Sequence, residues 1–103
     1  MHQVYVCYGH PTDPAAFDDY YERTHADLAK KVPGLVRFTI GKVESMDGGA
    51  PPYYLVATLG FESAESMAAG LSSPEMAAAG ADVAKFATGG ATMFRAPETV
   101  LVG

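Results

Sequence analysis

One histidine in this chain has helix-spaced polar partners. His25 follows Tyr21 by four residues, Glu22 by three and Asp18 by seven, spacings that place all of them on one side of a helix. Neighbouring carboxylates favour a charged imidazole, and burial opposes it. A histidine poised near neutrality is suited to general acid–base work. The phenols of Tyr20 and Tyr21 are able to bind or polarise a substrate oxygen. The same residues also have a plain structural use. At about 100° per residue, Phe17, Tyr21, Thr24 and Leu28 form the buried stripe of the helix, with Val32 at its edge. His25 falls on the flank of that stripe, where a histidine also serves as a boundary residue with local hydrogen bonds.

Other candidate groups are more isolated. Arg37 and Arg95 fall in strand-like segments, and either one, if it faced a cavity, would suit a carboxylate or enolate. Otherwise both are rim or surface charges. His10 follows the first strand at a turn, at the expected mouth of such a cavity. Cys7 is the only cysteine and lies in an apolar strand, so it reads as an inert core residue with no disulfide partner. No pair of histidines stands at metal-ligand spacing, so no metal is expected. Gly48-Gly49 and Gly89-Gly90 lack the flanking pattern of a phosphate loop.

The elements that must position these residues follow from the apolar pattern. Gln3 to Tyr8 reads as a strand covered on both faces. Thr12 or Asp13 caps a helix with Pro14 in its first turn, running to about Lys31, where Pro33-Gly34 stops it. Leu35 to Val43 is a second strand, with Val36, Phe38 and Ile40 on one face and Arg37, Thr39 and Gly41 on the other. Glu44 to Pro52 is a loop. Tyr53 to Phe61 is a third strand. Ser63 caps a short helix with Met67 and Leu71, and Ser73-Pro74 starts another, its buried side marked by Met76, Gly80, Val83 and Phe86 or Ala87. Ala91 to Ala96 is a fourth strand, and Thr99 to Val102 is a candidate tail strand. The order is the split βαβ, ferredoxin-like βαββαβ arrangement of an α+β protein with a four-stranded antiparallel sheet.

Composition sets the outer limits. With 103 residues and 49% hydrophobic content, the expectation is a single domain over residues 1–103 with one core. A net charge of −5 and the absence of a basic stripe argue against a nucleic-acid partner. No apolar run approaches a membrane span, and no signal-peptide pattern opens the chain, so no membrane partner and a cytoplasmic location are expected. Both helices lie on one face of the sheet. Strands apolar on both parities would leave a large apolar patch on the other face. Pairing two sheets face to face is the expected solution: a homodimer with a barrel-like interior able to enclose a small hydrophobic metabolite.

An ordered set of residues carries a family resemblance. Tyr5-Val6-Cys7-Tyr8-Gly9, Tyr21…Thr24-His25…Leu28, Pro33-Gly34-Leu35, Tyr53-Tyr54 and Phe86-Ala87-Thr88-Gly89-Gly90 together resemble the EthD family, named for ethyl tert-butyl ether degradation. The resemblance implies the dimeric α+β barrel superfamily, which includes isomerases, aromatic polyketide cyclases, cofactor-free monooxygenases and haem-degrading proteins. In related isomerases a histidine matching His25 faces the cavity. Related sequences often carry a tyrosine where this chain has Phe38, which either lines the cavity as an apolar wall or packs on the helices. The implied function is binding of an apolar oxygenated, aromatic or lactone-like metabolite, with His25 as acid/base of an isomerase, cyclase or decarboxylase that needs no cofactor. Tyr20, Tyr21, Phe38, Arg37 and His10 are the expected substrate contacts. The alternative is a non-catalytic ligand-binding or accessory protein of an oxygenase-type degradation system.

Overall fold

The computed structural model describes all residues from Met1 to Gly103. Four strands, β1 (His2–Tyr8), β2 (Leu35–Lys42), β3 (Leu55–Phe61) and β4 (Ala91–Pro97), form one antiparallel sheet in the order β2-β3-β1-β4. After β1 the chain enters α1 (Pro14–Tyr20), a π-helical turn (Tyr21–His25) and α2 (Ala26–Ala29) as one continuous rod. Between β3 and β4 lie α3 (Ala64–Leu71), α4 (Pro74–Asp82) and a 3₁₀ turn (Val83–Lys85). This is the expected ferredoxin-like order.

The helix starts are those read from the sequence. The Asp13 carboxylate accepts the Ala16 N–H and Pro14 occupies the first turn. Ser63 and Ser66 bond reciprocally as a capping box ahead of α3. Ser73 caps α4, with Pro74 following. The rod ends at Ala29, capped by Lys30, a little before the expected Lys31; Gly34, at φ +79°, takes the left-handed conformation that turns the chain into β2.

The core lies between helices and sheet. Val4, Val6 and Tyr8 of β1 and Leu55, Ala57, Leu59 and Phe61 of β3 point at the helices, which contribute Phe17, Tyr21, Met67 and Phe86. Phe61 is completely buried, and Gly70 of α3 lets the helix rest on it: a Cβ there would stand 2.7 Å from the Phe61 ring and from the Pro33 carbonyl.

Three expectations are corrected. The sheet is not closed into a barrel: β2 and β4 are its two open edges, each paired on one side only. The reason lies in the uncovered face. Alternation places Gln3, Arg37, Thr39, Thr58 and Thr92 there among Tyr5, Cys7, Val56, Phe94 and Ala96, so polar side chains interrupt the continuous apolar patch that was expected. In β2 a bulge between Leu35 and Arg37 takes Val36 out of the alternation, and Phe38 and Ile40 alone continue the helix-facing side opposite Leu59 and Ala57. Thr99–Val102 forms no strand, and Val100, Leu101 and Val102 are exposed. No helix is long and apolar enough to cross a membrane.

Candidate functional site

The buried side of the helical rod is Phe17, Tyr21, His25 and Ala29, an exact spacing of four. Thr24 is exposed and Leu28 only half-buried, against the expected stripe. The π turn is the cause. The Ala26 N–H donates to the Tyr21 carbonyl five residues back, so the turn holds one residue more than an α-helical turn. The additional residue rotates His25 from the flank onto the inward face, where it is 5% exposed.

There it meets a carboxylate from the other helical layer. His25 Nδ1 lies 3.1 Å from Asp82 Oδ2, at the end of α4, and Asp82 is 4% exposed. The Tyr20 hydroxyl donates to Asp82 Oδ1 at 2.6 Å, and Lys85 stands 4.0 Å from the same oxygen. On the other side of the ring, His25 Nε2 is 3.4 Å from the Tyr8 hydroxyl. The imidazole packs on Phe86 at 4.7 Å and on Tyr21 at 5.1 Å between ring centres.

The electrostatics fix the roles. Burial pushes the Asp82 carboxyl up, but the hydrogen bonds from Tyr20 and His25 outweigh it and leave the group more acidic than usual. An ionised carboxylate only accepts, so His25 Nδ1 carries the proton and Nε2 presents its lone pair. Burial lowers the His25 pKa, and the hydrogen bond and charge of Asp82 oppose this without overcoming it. The resting ring is therefore neutral. Tyr8 is pushed up to about 12, first by burial, with an opposing hydrogen bond from Tyr21 and a smaller raising effect from the Asp82 charge. Burial likewise raises Tyr21, and its hydrogen bond to Asp82 raises Tyr20. All three phenols stay protonated as donors.

His25 and Tyr8 line a cavity of about 30 Å³ between the helices and the sheet. Val6, Tyr8, Ala57 and Leu59 form its floor; Tyr21, Ala79, Gly80 and Val83 its roof; Phe38 and Met93 stand at opposite ends. The arrangement is a neutral imidazole, oriented by a buried carboxylate, facing an apolar space beside a phenol donor. It suits moving a proton to or from a carbon next to a carbonyl.

The sequence candidates divide. His25, Tyr21 and Phe38 meet at the cavity, Phe38 as an apolar wall. Tyr20 reaches the site from behind, through Asp82. Arg37 is opposite Gly60 on the uncovered sheet face, away from His25. His10 bonds the Pro51 carbonyl at 2.8 Å, so it ties down the 43–54 loop. Asp18 does not attend His25: it pairs with Lys42 at 2.8 Å and accepts from Tyr54 at 2.8 Å. Asp82 and Tyr8 were not singled out in the sequence. Asp82 is the one acid in the Ala77-Ala78-Ala79-Gly80-Ala81-Asp82-Val83-Ala84 run, three residues after the buried Ala79. It also sits near a helix C-terminus, where the macrodipole disfavours an anion. No three His, Cys, Asp or Glu side chains are grouped to hold a metal ion.

Fold and site together define a small ferredoxin-like α+β protein with a histidine–carboxylate pair buried between its layers. The EthD domain model matches residues 9–90. A Rhodococcus erythropolis protein described as an uncharacterized 11.0 kDa protein of the thcB-thcC intergenic region is 47% identical over 102 residues, 98% of this chain and 99% of the relative. The crystal structure of an ethyl tert-butyl ether D (EthD) family protein from Bacillus halodurans superposes with a TM-score of 0.88 at 32% identity, covering 96% of this chain and 99% of that one. The chain belongs to the EthD family. More distantly, a structure described as a dimeric ferredoxin-like protein of unknown function, from Thermobifida fusca, shares the fold with a TM-score of 0.67 at 14% identity, covering 91% of this chain and 87% of that one.

Proposed function

We propose that the protein is a cytoplasmic catabolic or biosynthetic catalyst of proton transfer, working on an apolar oxygenated metabolite of aromatic or lactone-like character. The observation that carries this reading is the His25 ring: Nδ1 is held by Asp82 at 3.1 Å, Nε2 lies 3.4 Å from the Tyr8 hydroxyl, and both His25 and Tyr8 line an apolar cavity. His25 takes a proton from the carbon next to a carbonyl and returns it elsewhere. Tyr8 or Tyr21 donates a hydrogen bond to the developing enolate oxygen, which a neutral phenol of raised pKa is able to do. Asp82 stabilises the imidazolium formed in between. Isomerisation and cyclisation begin with this step; decarboxylation reaches the same enolate by losing CO₂ and shares only its stabilisation and reprotonation. Phe38 and Met93 exclude water around it.

The active form is read as a homodimer. Supporting this are the description of the distant Thermobifida fold relative as dimeric, the Tyr5–Phe94 stack on the uncovered sheet face, and the exposed apolar tail at Val100, Leu101 and Val102. Sedimentation velocity measures this directly.

The catalytic reading is tested by proton exchange in D₂O. The protein is incubated with 2-tetralone, 1-indanone and α-angelica lactone, and deuterium uptake next to the carbonyl is followed by NMR. Uptake above buffer that disappears in His25→Gln is expected. Uptake equal in wild type and His25→Gln would refute the assignment.

A further inference from the structure

The His25 cavity is too small for a metabolite as it stands, since about 30 Å³ holds roughly one water. It must open at one of its ends. Two surface depressions adjoin it. One, at the β2 end, shares Tyr21 and Phe38 with the cavity and is bordered by Glu22 and Lys30. The other, of about 250 Å³, lies at the β4 end, shares Met93 with the cavity, and is formed by Val4, Leu71, Met93, Phe94 and Arg95.

The two ends differ in charge. At the β2 end Lys30 already faces Asp27 at 3.8 Å, and Glu22 adds a negative charge. At the β4 end Arg95 makes no ion pair; Glu98, the next acid along the chain, is engaged by Gln3 at 2.8 Å and the amino terminus at 3.8 Å. The sheet register sets Arg95 opposite Val4 and Met93 opposite Val6, so both side chains leave β4 on the helix-facing side, two residues apart. The Met93 side chain is the only wall common to both spaces, and it is 49% exposed. A methionine is the side chain best able to swing aside without strain, because it is unbranched.

Building on the reading of His25 as the acid/base, we propose that the ligand enters past Met93 and that Arg95 holds its acidic group at the entrance. The ligand class is then an amphipathic anion: an apolar ring or chain directed at His25, carrying a carboxylate that remains outside on the guanidinium. A planar guanidinium bonds a carboxylate through two parallel N–H donors, which fixes the depth and orientation of the apolar part.

The test compares two shape-matched pairs that differ in charge, cinnamate with cinnamamide and octanoate with octanamide, titrated against protein carrying ¹⁵N-labelled histidine. Wild type should bind each anion about tenfold more tightly than its amide, with the His25 ring signals moving. Arg95→Gln should reduce anion affinity to that of the amide and leave amide affinity unchanged; Arg95→Lys should restore part of the difference. Met93→Trp, which blocks the entrance, should weaken anion and amide alike. Equal wild-type binding of anion and amide, or an anion preference that survives Arg95→Gln, overturns the role of Arg95 while leaving the cavity reading intact. Failure of every probe to move the His25 signals overturns the cavity as a ligand site, and the entrance with it. Arg95 is exposed, so the urea midpoint of Arg95→Gln should match wild type and separate these effects from unfolding.

Discussion

Replacing Asp82 by Asn tests the central arrangement with little change of shape. The carboxylate accepts two hydrogen bonds, from Tyr20 at 2.6 Å and from His25 at 3.1 Å. The amide has one oxygen and one NH₂. If the oxygen keeps the shorter bond to Tyr20, the NH₂ faces Nδ1 of His25 and must donate to it. The ring proton then moves to Nε2, and that nitrogen loses its lone pair. A hydrogen bond to an ionised partner contributes about 1.5–3 kcal/mol, against about 1 kcal/mol for a neutral pair, so weakening both bonds costs about 2 kcal/mol. For a domain of this size that lowers Tm by about 8–16 °C. The assay has two parts: urea or thermal midpoints at one fixed protein concentration, and the ¹⁵N ring shifts of His25 at neutral pH. The expected result is a lowered midpoint with a reversed tautomer and lost proton exchange. An unchanged tautomer with an unchanged midpoint would refute the claim that Asp82 sets the ring.

Three further outcomes follow from the structure. Because the folded-state pKa of His25 lies below its ordinary 6.5, the unfolded chain takes up a proton first as the pH falls. Stability is therefore full above about pH 6.5 and declines below it; urea midpoints at a series of pH values should show this decline, and His25→Gln should remove it. Gly80 lies within α4 and a Cβ there meets nothing within 4 Å, so Gly80→Ala should raise stability by about 1 kcal/mol in the same assay. Gly9 is the opposite case: a Cβ would stand 2.2 Å from the Gly89 carbonyl oxygen, so Gly9→Ala must force the β1 end from the turn before β4 and lower the midpoint by about 1–3 kcal/mol equivalent.

The fold was legible because its signals are local. Asp13-Pro14, Ser63 and Ser73-Pro74 each fix a helix start through their own local chemistry and act as read, whereas Pro33-Gly34 makes the turn into β2 after a helix that has already ended at Ala29. The site was legible only in part. His25 stands out by residue type, but its partner is 57 positions away on another helix, and no periodicity within the first helix points to it. The carboxylates that spacing did offer, Asp18 and Glu22, are drawn elsewhere or left in solvent, because Lys42 and Tyr54 claim Asp18 across the sheet edge. The expected flank position of His25 assumed a uniform α-helix. The barrel expectation rested on the first and third strands, apolar in both registers by sequence; those strands still place Gln3 and Thr58 on the uncovered face, and the second and fourth add Arg37, Thr39 and Thr92.

The π turn at Tyr21–His25 has a consequence for how the chain tolerates change. An inward histidine here depends on a count of residues, not on any one side chain in the turn. Deleting a single position between 21 and 25 would wind the segment into regular helix and swing the imidazole toward water, although every amino-acid type at the site remained. Substitutions chosen to strengthen that helix would push in the same direction. In this rod, a better helix is a worse site, and the length of the segment is as much a functional constraint as its composition.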